Sequence, residues 1–214
     1  MGEKSVKERI ILGPECVEEG VTWLIDADPR FAAFLKNTGP LPLRLKPDGF
    51  AAVLNAIIGQ QISVASANAT WARIVDAGFD QPANLNAATD DELRAVGFSR
   101  PKVRYAKALA EADVDFAALR ELPTAQVIQR LIALPGIGLW TAEIYAKFSL
   151  GRADVLAAGD LAIQEAAKLL FELDTRPTEK ELRAMALAWS PWRSVAARAL
   201  WEYYRQSKQR EGIA

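Results

Sequence analysis

The chain has 214 residues, half of them apolar, with 26 basic and 27 acidic side chains, one cysteine and no histidine. That length serves one large domain or two small lobes, and the near-zero net charge excludes DNA binding through a blanket of positive charge, though not through a local footprint on a few phosphates. With Cys16 alone and no histidine, an internal disulfide, a zinc site of Cys and His, and Ser-His-Asp or Cys-His catalysis are all excluded.

The first ten residues, MGEKSVKERI, are not followed by a long apolar run, so no signal peptide is expected. No stretch approaches the ~20 apolar residues of a membrane span. Residues 1–20 read as a short arm, a brief helix or irregular, with Cys16 as a small apolar filler. Asp28, followed by Pro29, predicts a capped helix that ends at Gly39. Asp48 is expected to cap the next, whose apolar stripe is Phe50, Val53, Leu54, Ile57 and Ile58. The sequence GQQIS at 59–63 interrupts that stripe. Ser63 then caps a helix through Trp71, Ile74 and Val75 that closes at Gly78. Gln60 and Gln61 alone read as a polar helix–helix corner.

Thr89-Asp-Asp-Glu92 is a capping box, and Gly97 closes its short helix. From Ser99 another helix carries Arg100, Lys102, Arg104 and Lys107, a basic patch that reads either as a solvated face or as a phosphate contact. Thr124, after Pro123, is expected to cap a helix with Val127, Ile128, Leu131 and Ile132 on one face. Pro135 stops it. Gly136 and Gly138 permit a tight turn with exposed amides, and a further helix starts near Leu139 with Trp140, Ile144, Tyr145 and Phe148. The turn amides and the following helix N-terminus can together hold one phosphate; a plain helix connector is the alternative. A dinucleotide-binding turn is excluded because a helix, not a strand, precedes Gly136. Asp160 is placed at the N-cap of a helix with Ile163, Ala166, Ala167 and Leu170 on its apolar face; it reads as a capping acid or as a functional carboxylate. Thr178 to Glu181 form a second capping box, opening a helix that stops before Pro191. The last long helix runs from about Trp192 to Gln206, with Trp201 off its main stripe. No stretch alternates as strands do, so the chain reads as all-α, about ten helices.

Four stretches taken together, AIIGQQISVASA at 56–67, LPGIGLWTA at 134–142, AAGDLAIQ at 157–164 and WSPWRSVAARALW at 189–201, resemble the helix-hairpin-helix DNA glycosylases, in particular the 3-methyladenine DNA glycosylase II branch. The resemblance runs over about residues 28–204. It implies an all-α, two-lobed fold without an additional N-terminal β domain. Residues 21–48 plus 153–214 would form one lobe and 49–152 the other, the latter ending in the helix-hairpin-helix at 124–149, with the active site in the cleft. By the same resemblance Asp160 is the catalytic acid and Trp140, Trp201, Ile144 and Leu161 form the base pocket. Gly136, Ile137, Gly138 and Thr141 hold the DNA backbone, and Gln60 and Gln61 enter the minor groove, Gln61 as the wedge.

The chemistry needs those parts. A base inside a duplex is reached only by flipping its nucleotide out. Breaking the N-glycosidic bond then builds positive charge on the sugar, which an ionised carboxylate stabilises. Members that also cut the backbone use a lysine where this chain has Trp140, so the resemblance implies a monofunctional enzyme. It further implies no cofactor, no metal held by side chains or iron–sulfur cluster, a possible monovalent cation on hairpin carbonyls, and a monomer acting on double-stranded DNA with alkylated bases. The expected location is cytoplasmic, on the nucleoid in a bacterium. Two readings compete: a non-catalytic helix-hairpin-helix DNA-binding module, which would keep the Gly-x-Gly turn and have no use for Asp160 beside an aromatic pocket, and an all-α protein-interaction domain.

Overall fold

The computed structural model describes residues 8–210. Its α-helices in chain order are α1 (Pro14–Ala27), α2 (Ala32–Leu35), α3 (Phe50–Gly59), α4 (Val64–Asp76), α5 (Pro82–Ala87), α6 (Asp90–Ala95), α7 (Arg100–Glu111), α8 (Phe116–Glu121), α9 (Thr124–Ile132), α10 (Leu139–Phe148), α11 (Leu161–Leu170), α12 (Glu179–Met185) and α13 (Arg193–Arg210). Short 3-10 turns lie at Pro29–Phe31 and Ala186–Trp189. Among the described residues there is no β-strand, only an isolated antiparallel bridge between Ile10 and Arg152. The fold is all-α, as the missing alternation indicates. It has more helices than expected because α5 and α8, of 6 residues each, are too short to show a helical period, and because α1 stands partly where an arm was read.

The chain divides into two compact units, one made of the segments up to Leu45 and from Gly151 onward, the other of Lys46–Leu150. In the first unit, α1 begins at Pro14, inside the stretch read as an arm; residues 1–7 lie outside the described residues. Gly20 sits within this helix. In the structure it is a close approach: a Cβ there would lie 2.6 Å from Val195 and 2.7 Å from Trp192. Val17 and Leu24 are buried on the same face. The centre of this unit is aromatic. Phe31 meets Phe171 and Trp189 edge-on at 5.4 and 5.5 Å. Above it Asp28 accepts from Arg30 Nε and Nη2 at 2.7 and 2.6 Å and from Trp189 Nε1 at 3.1 Å.

The second unit is built on the α3 stripe. Val53, Leu54, Ile57 and Ile58 are buried with Val103, Ala106, Leu131, Ile137 and Ala142. Both capping boxes form, at Thr89–Glu92 in this unit and Thr178–Glu181 in the first. Ser63 accepts from Ser66 N at 3.2 Å. Two expected caps are corrected. Thr124 is the first residue of α9, with Pro123 ahead of it as the cap. Gly49, at φ 98°, occupies the cap position of α3 in place of Asp48. Asp48 instead gathers the hydroxyl of Tyr145, Arg120 Nη2 at 2.5 Å and its own neighbour Gly49 N at 2.6 Å. Burial and the Asp48 carboxylate hold the Tyr145 hydroxyl protonated well above its usual range.

Two carboxylates of the first unit link its stability to pH. Burial pushes Asp28 and Asp154 up, but hydrogen bonds outweigh it, from Arg30 and Trp189 to one and from Arg193 and Ser190 to the other, so both sit below the ordinary 3.8. A depressed native value means stability that is fully present above the unfolded value and is lost as pH falls through the native one. The melting temperature is therefore expected to fall on acidification below about pH 4. In Arg193→Met, Asp154 loses its cation and its native value rises, so the acid-induced fall should shrink. An equal fall in both proteins would contradict this.

Candidate active site and nucleic-acid interface

The hairpin between α9 and α10 separates the roles of its two glycines. Gly136 has φ 83°, and a Cβ there would lie 2.3 Å from the Tyr105 ring. Only glycine fits on both counts. Gly138 has φ −84° and open space around it. It caps α10 with no side chain of its own, and the N–H groups of Gly138 and Leu139 have no carbonyl one turn earlier to bond. The N-terminal end of α10 thus presents backbone donors and the positive end of the helix dipole. The other two expected anchors turn inward. Ile137 is 5% exposed and its N–H bonds Leu134 O at 3.2 Å; Thr141 is buried and its Oγ1 faces Gln60 Nε2 at 3.4 Å.

The 60–63 turn belongs to the same unit. Gln61 is exposed with φ 60°, in the left-handed region. Gln60 points the other way, and its Nε2 donates to Gly136 O at 3.0 Å. Lys102 Nζ closes the end of α3 by donating to Ile58 O at 2.6 Å and Gln60 O at 2.9 Å, and its partial burial lowers its pKa. The expected basic patch is therefore divided. Lys102 serves the turn and Lys107 pairs with Asp90 at 2.9 Å. Arg100 and Arg104 stay exposed, Arg104 over the Tyr105 ring at 5.2 Å. Nothing in the local sequence signals the inward roles of Gln60, Lys102 and Tyr105, because each is fixed by a contact distant in the chain.

In the first unit, Asp160 is the N-cap of α11. Its Oδ1 accepts from Ala162 N at 2.9 Å and Ile163 N at 3.2 Å. Two backbone amides at the helix N-terminus hold this oxygen in place. Asp154, the nearby competitor, is committed elsewhere. Its two oxygens receive Arg193 Nε at 2.6 Å and Nη2 at 2.7 Å, and Ser190 Oγ at 2.8 Å. A bidentate guanidinium commits this carboxylate to an ion pair within the first unit.

The expected pocket residues fall in both units. Leu161, 62% exposed, follows Asp160 at the start of α11. Trp201 lies on α13, half-buried against the first unit's core. Trp140, 41% exposed, stands on the first turn of α10 in the second unit, with Ile144 one turn on and half-buried.

This combination, an all-helical fold with a glycine hairpin opening α10 and an acid capping α11, defines a recognised class. The model of the HhH-GPD superfamily base excision DNA repair proteins matches residues 54–193, and the chain belongs to that family. Among individual proteins, a crystal structure of DNA-3-methyladenine glycosidase from Bacillus halodurans is similar with a TM-score of 0.81 and 30% identity, over 95% of each chain. DNA-3-methyladenine glycosylase 1 of Schizosaccharomyces pombe is 28% identical over 205 residues, which are 92% of this chain and 90% of that protein. The S. pombe 3-methyladenine DNA glycosylase in complex with abasic DNA is similar with a TM-score of 0.70 and 28% identity, over 87% of this chain and 95% of that one.

Proposed function

We propose that this protein is a monofunctional DNA glycosylase that flips an alkylated base out of duplex DNA and hydrolyses its N-glycosidic bond, with 3-methyladenine and 7-methylguanine as the type of substrate. The observation that carries the reading is Asp160, an acid held by two amides at the start of α11 in a chain of the base excision family. A non-catalytic DNA-binding module or a protein-interaction domain would need such an acid only as a helix cap.

In this reading the donors at the start of α10 take a backbone phosphate, Gln61 fills the space the base leaves, and Trp201 and Leu161, in the unit of Asp160, receive the base. A monovalent cation on the hairpin carbonyls fits the donor set. The Leu134 and Gly136 carbonyls each accept one hydrogen bond already and keep a second lone pair; such an ion would add positive charge beside the phosphate. Asp160 then stabilises the cationic sugar as the bond breaks and orients the attacking water.

A purine methylated at a ring nitrogen carries positive charge. It leaves readily without a general acid, which suits a chain lacking histidine, and it is drawn to tryptophan faces by ~0.5–2 kcal/mol per contact. Methylation also weakens pairing and lowers the cost of flipping. No helix among the described residues is long and apolar enough to cross a membrane, and the protein acts on DNA as a monomer in this reading.

A panel of duplexes, each with one altered base, tests the substrate class. Release of methylated purines ahead of uracil and oxidised bases is expected; the reverse order would assign another substrate class. Base removal should also occur without strand cleavage, since Trp140 stands where the Schiff-base lysine would be and Lys147, on the same helix, is 0% exposed. Borohydride reduction during turnover should trap no protein–DNA adduct, and a trapped adduct would show that another amine reaches the sugar.

A further inference from the structure

Gln60 and Gln61 are neighbours with opposite orientations, and the inward one meets the hairpin. Gln60 Nε2 sits 3.0 Å from Gly136 O and 3.4 Å from Thr141 Oγ1. A carbonyl can only accept, so the side chain must present its NH2 group here and not its oxygen. On the other side of the same residue, Lys102 Nζ holds the Gln60 carbonyl at 2.9 Å and the Ile58 carbonyl at 2.6 Å. The next residue, Gln61, has φ 60°. A non-glycine residue persists in that region where its surroundings over-determine it, and the two ties on Gln60 do so.

We infer that Gln60 is a positioning residue, whose side-chain amide fastens the 60–63 turn to the Gly136 carbonyl so that the residue entering the groove and the phosphate-binding hairpin are held as one piece. Its consequence for base flipping rests on the glycosylase reading above. Lys102 backs the same turn from α7 and is part of the bracket. Without it, Gln61 and the α10 N-terminus would each engage DNA, but their spacing would drift. Efficient flipping needs that spacing fixed, because the wedge fills a gap whose position the anchored phosphate sets.

The test uses the full chain with Gln60→Met, which keeps length and loses the donors, and Gln60→Glu, which sets a carboxylate against a carbonyl. In the free protein, amide hydrogen exchange should rise together at Ser66 and Ala67, whose N–H groups bond back to Ser63, and at Ile137, whose N–H bonds Leu134 O, by about ten-fold in Gln60→Met, the size expected of one or two hydrogen bonds. With DNA, flipping followed by the fluorescence of a base analogue beside the lesion should fall by about ten-fold in Gln60→Met and further in Gln60→Glu. That loss should largely vanish when Gln61→Ala is already present, since coupled residues are not additive. Unchanged exchange, exchange raised in only one of the two segments, or losses that add fully with Gln61→Ala would overturn the proposal. The exchange measurement needs no DNA. A wild-type protein that releases no methylated purine would therefore defeat the glycosylase reading while exchange still decides the bracket.

Discussion

Asp160→Asn is expected to slow base release by at least ~100-fold, the loss typical when one electrostatic stabiliser of a transition state is removed, while duplex affinity stays within a few-fold of wild type. The substitution isolates charge from structure. Asparagine caps helices as well as aspartate does, and its side-chain oxygen can still accept from Ala162 N and Ile163 N, the bonds that Asp160 Oδ1 makes at 2.9 and 3.2 Å. The fold therefore keeps the cap and gives up the carboxylate's interaction with the helix dipole, about 0.3–1 kcal/mol. What disappears is the negative charge beside a sugar that becomes cationic only as the bond breaks, so the defect should appear in the single-turnover rate and not in binding. Asp154 serves as the control. Removing its charge breaks the pair with Arg193 and should lower stability without a comparable effect on chemistry. Near-wild-type release by Asp160→Asn would sink the assignment of the acid.

The two hairpin glycines should fail in different ways. Gly136→Val meets the Tyr105 ring, 2.3 Å from the added Cβ, and places a β-branched residue at φ 83°. Overpacking and backbone strain together cost about 3 kcal/mol or more, so this variant is expected to be largely unfolded or to melt far below wild type. Gly138→Val has φ −84° and open space. Its cost to the fold is a poorer helix cap, on the order of 1 kcal/mol or less. The valine would instead stand where a phosphate must approach the amides, and loss of one charge-assisted hydrogen bond of about 1.5–3 kcal/mol weakens DNA binding by roughly ten- to a hundred-fold. Thermal melting and DNA titration at several salt concentrations separate the two. A net charge of −1 allows a footprint of only a few phosphates, so the salt dependence is expected to be shallow. A well-folded Gly136→Val, or a Gly138→Val that binds as wild type does, would contradict the roles given to them.

Local signals carried most of the fold. The capping boxes at Thr89 and Thr178, the Ser63 cap and the Asp160 cap each involve residues within one turn of one another, and each forms as read. The α3 stripe was legible because a continuous period of apolar residues has one physical outcome, burial. What the sequence hid is non-local. Asp48 looks like a cap until Tyr145 and Arg120, 97 and 72 residues away, claim its oxygens. α1 reads as part of an arm until its Val17 and Leu24 are seen buried in the first unit's core. In the candidate site the same division holds. Gly136 and Gly138 are alike in sequence, yet one is required by Tyr105 and the other is bare to solvent. Ile137 and Thr141, named with them as DNA contacts, face the core, and Gln60 bonds a carbonyl 76 residues away.

The most direct measurement is of the wild-type protein on DNA treated with a methylating agent, with the released bases separated and quantified. Release of free 3-methyladenine and 7-methylguanine, leaving intact strands with abasic sites, is the predicted result. Tight binding to the same DNA with no base released, or release confined to uracil or an oxidised base, would contradict the account.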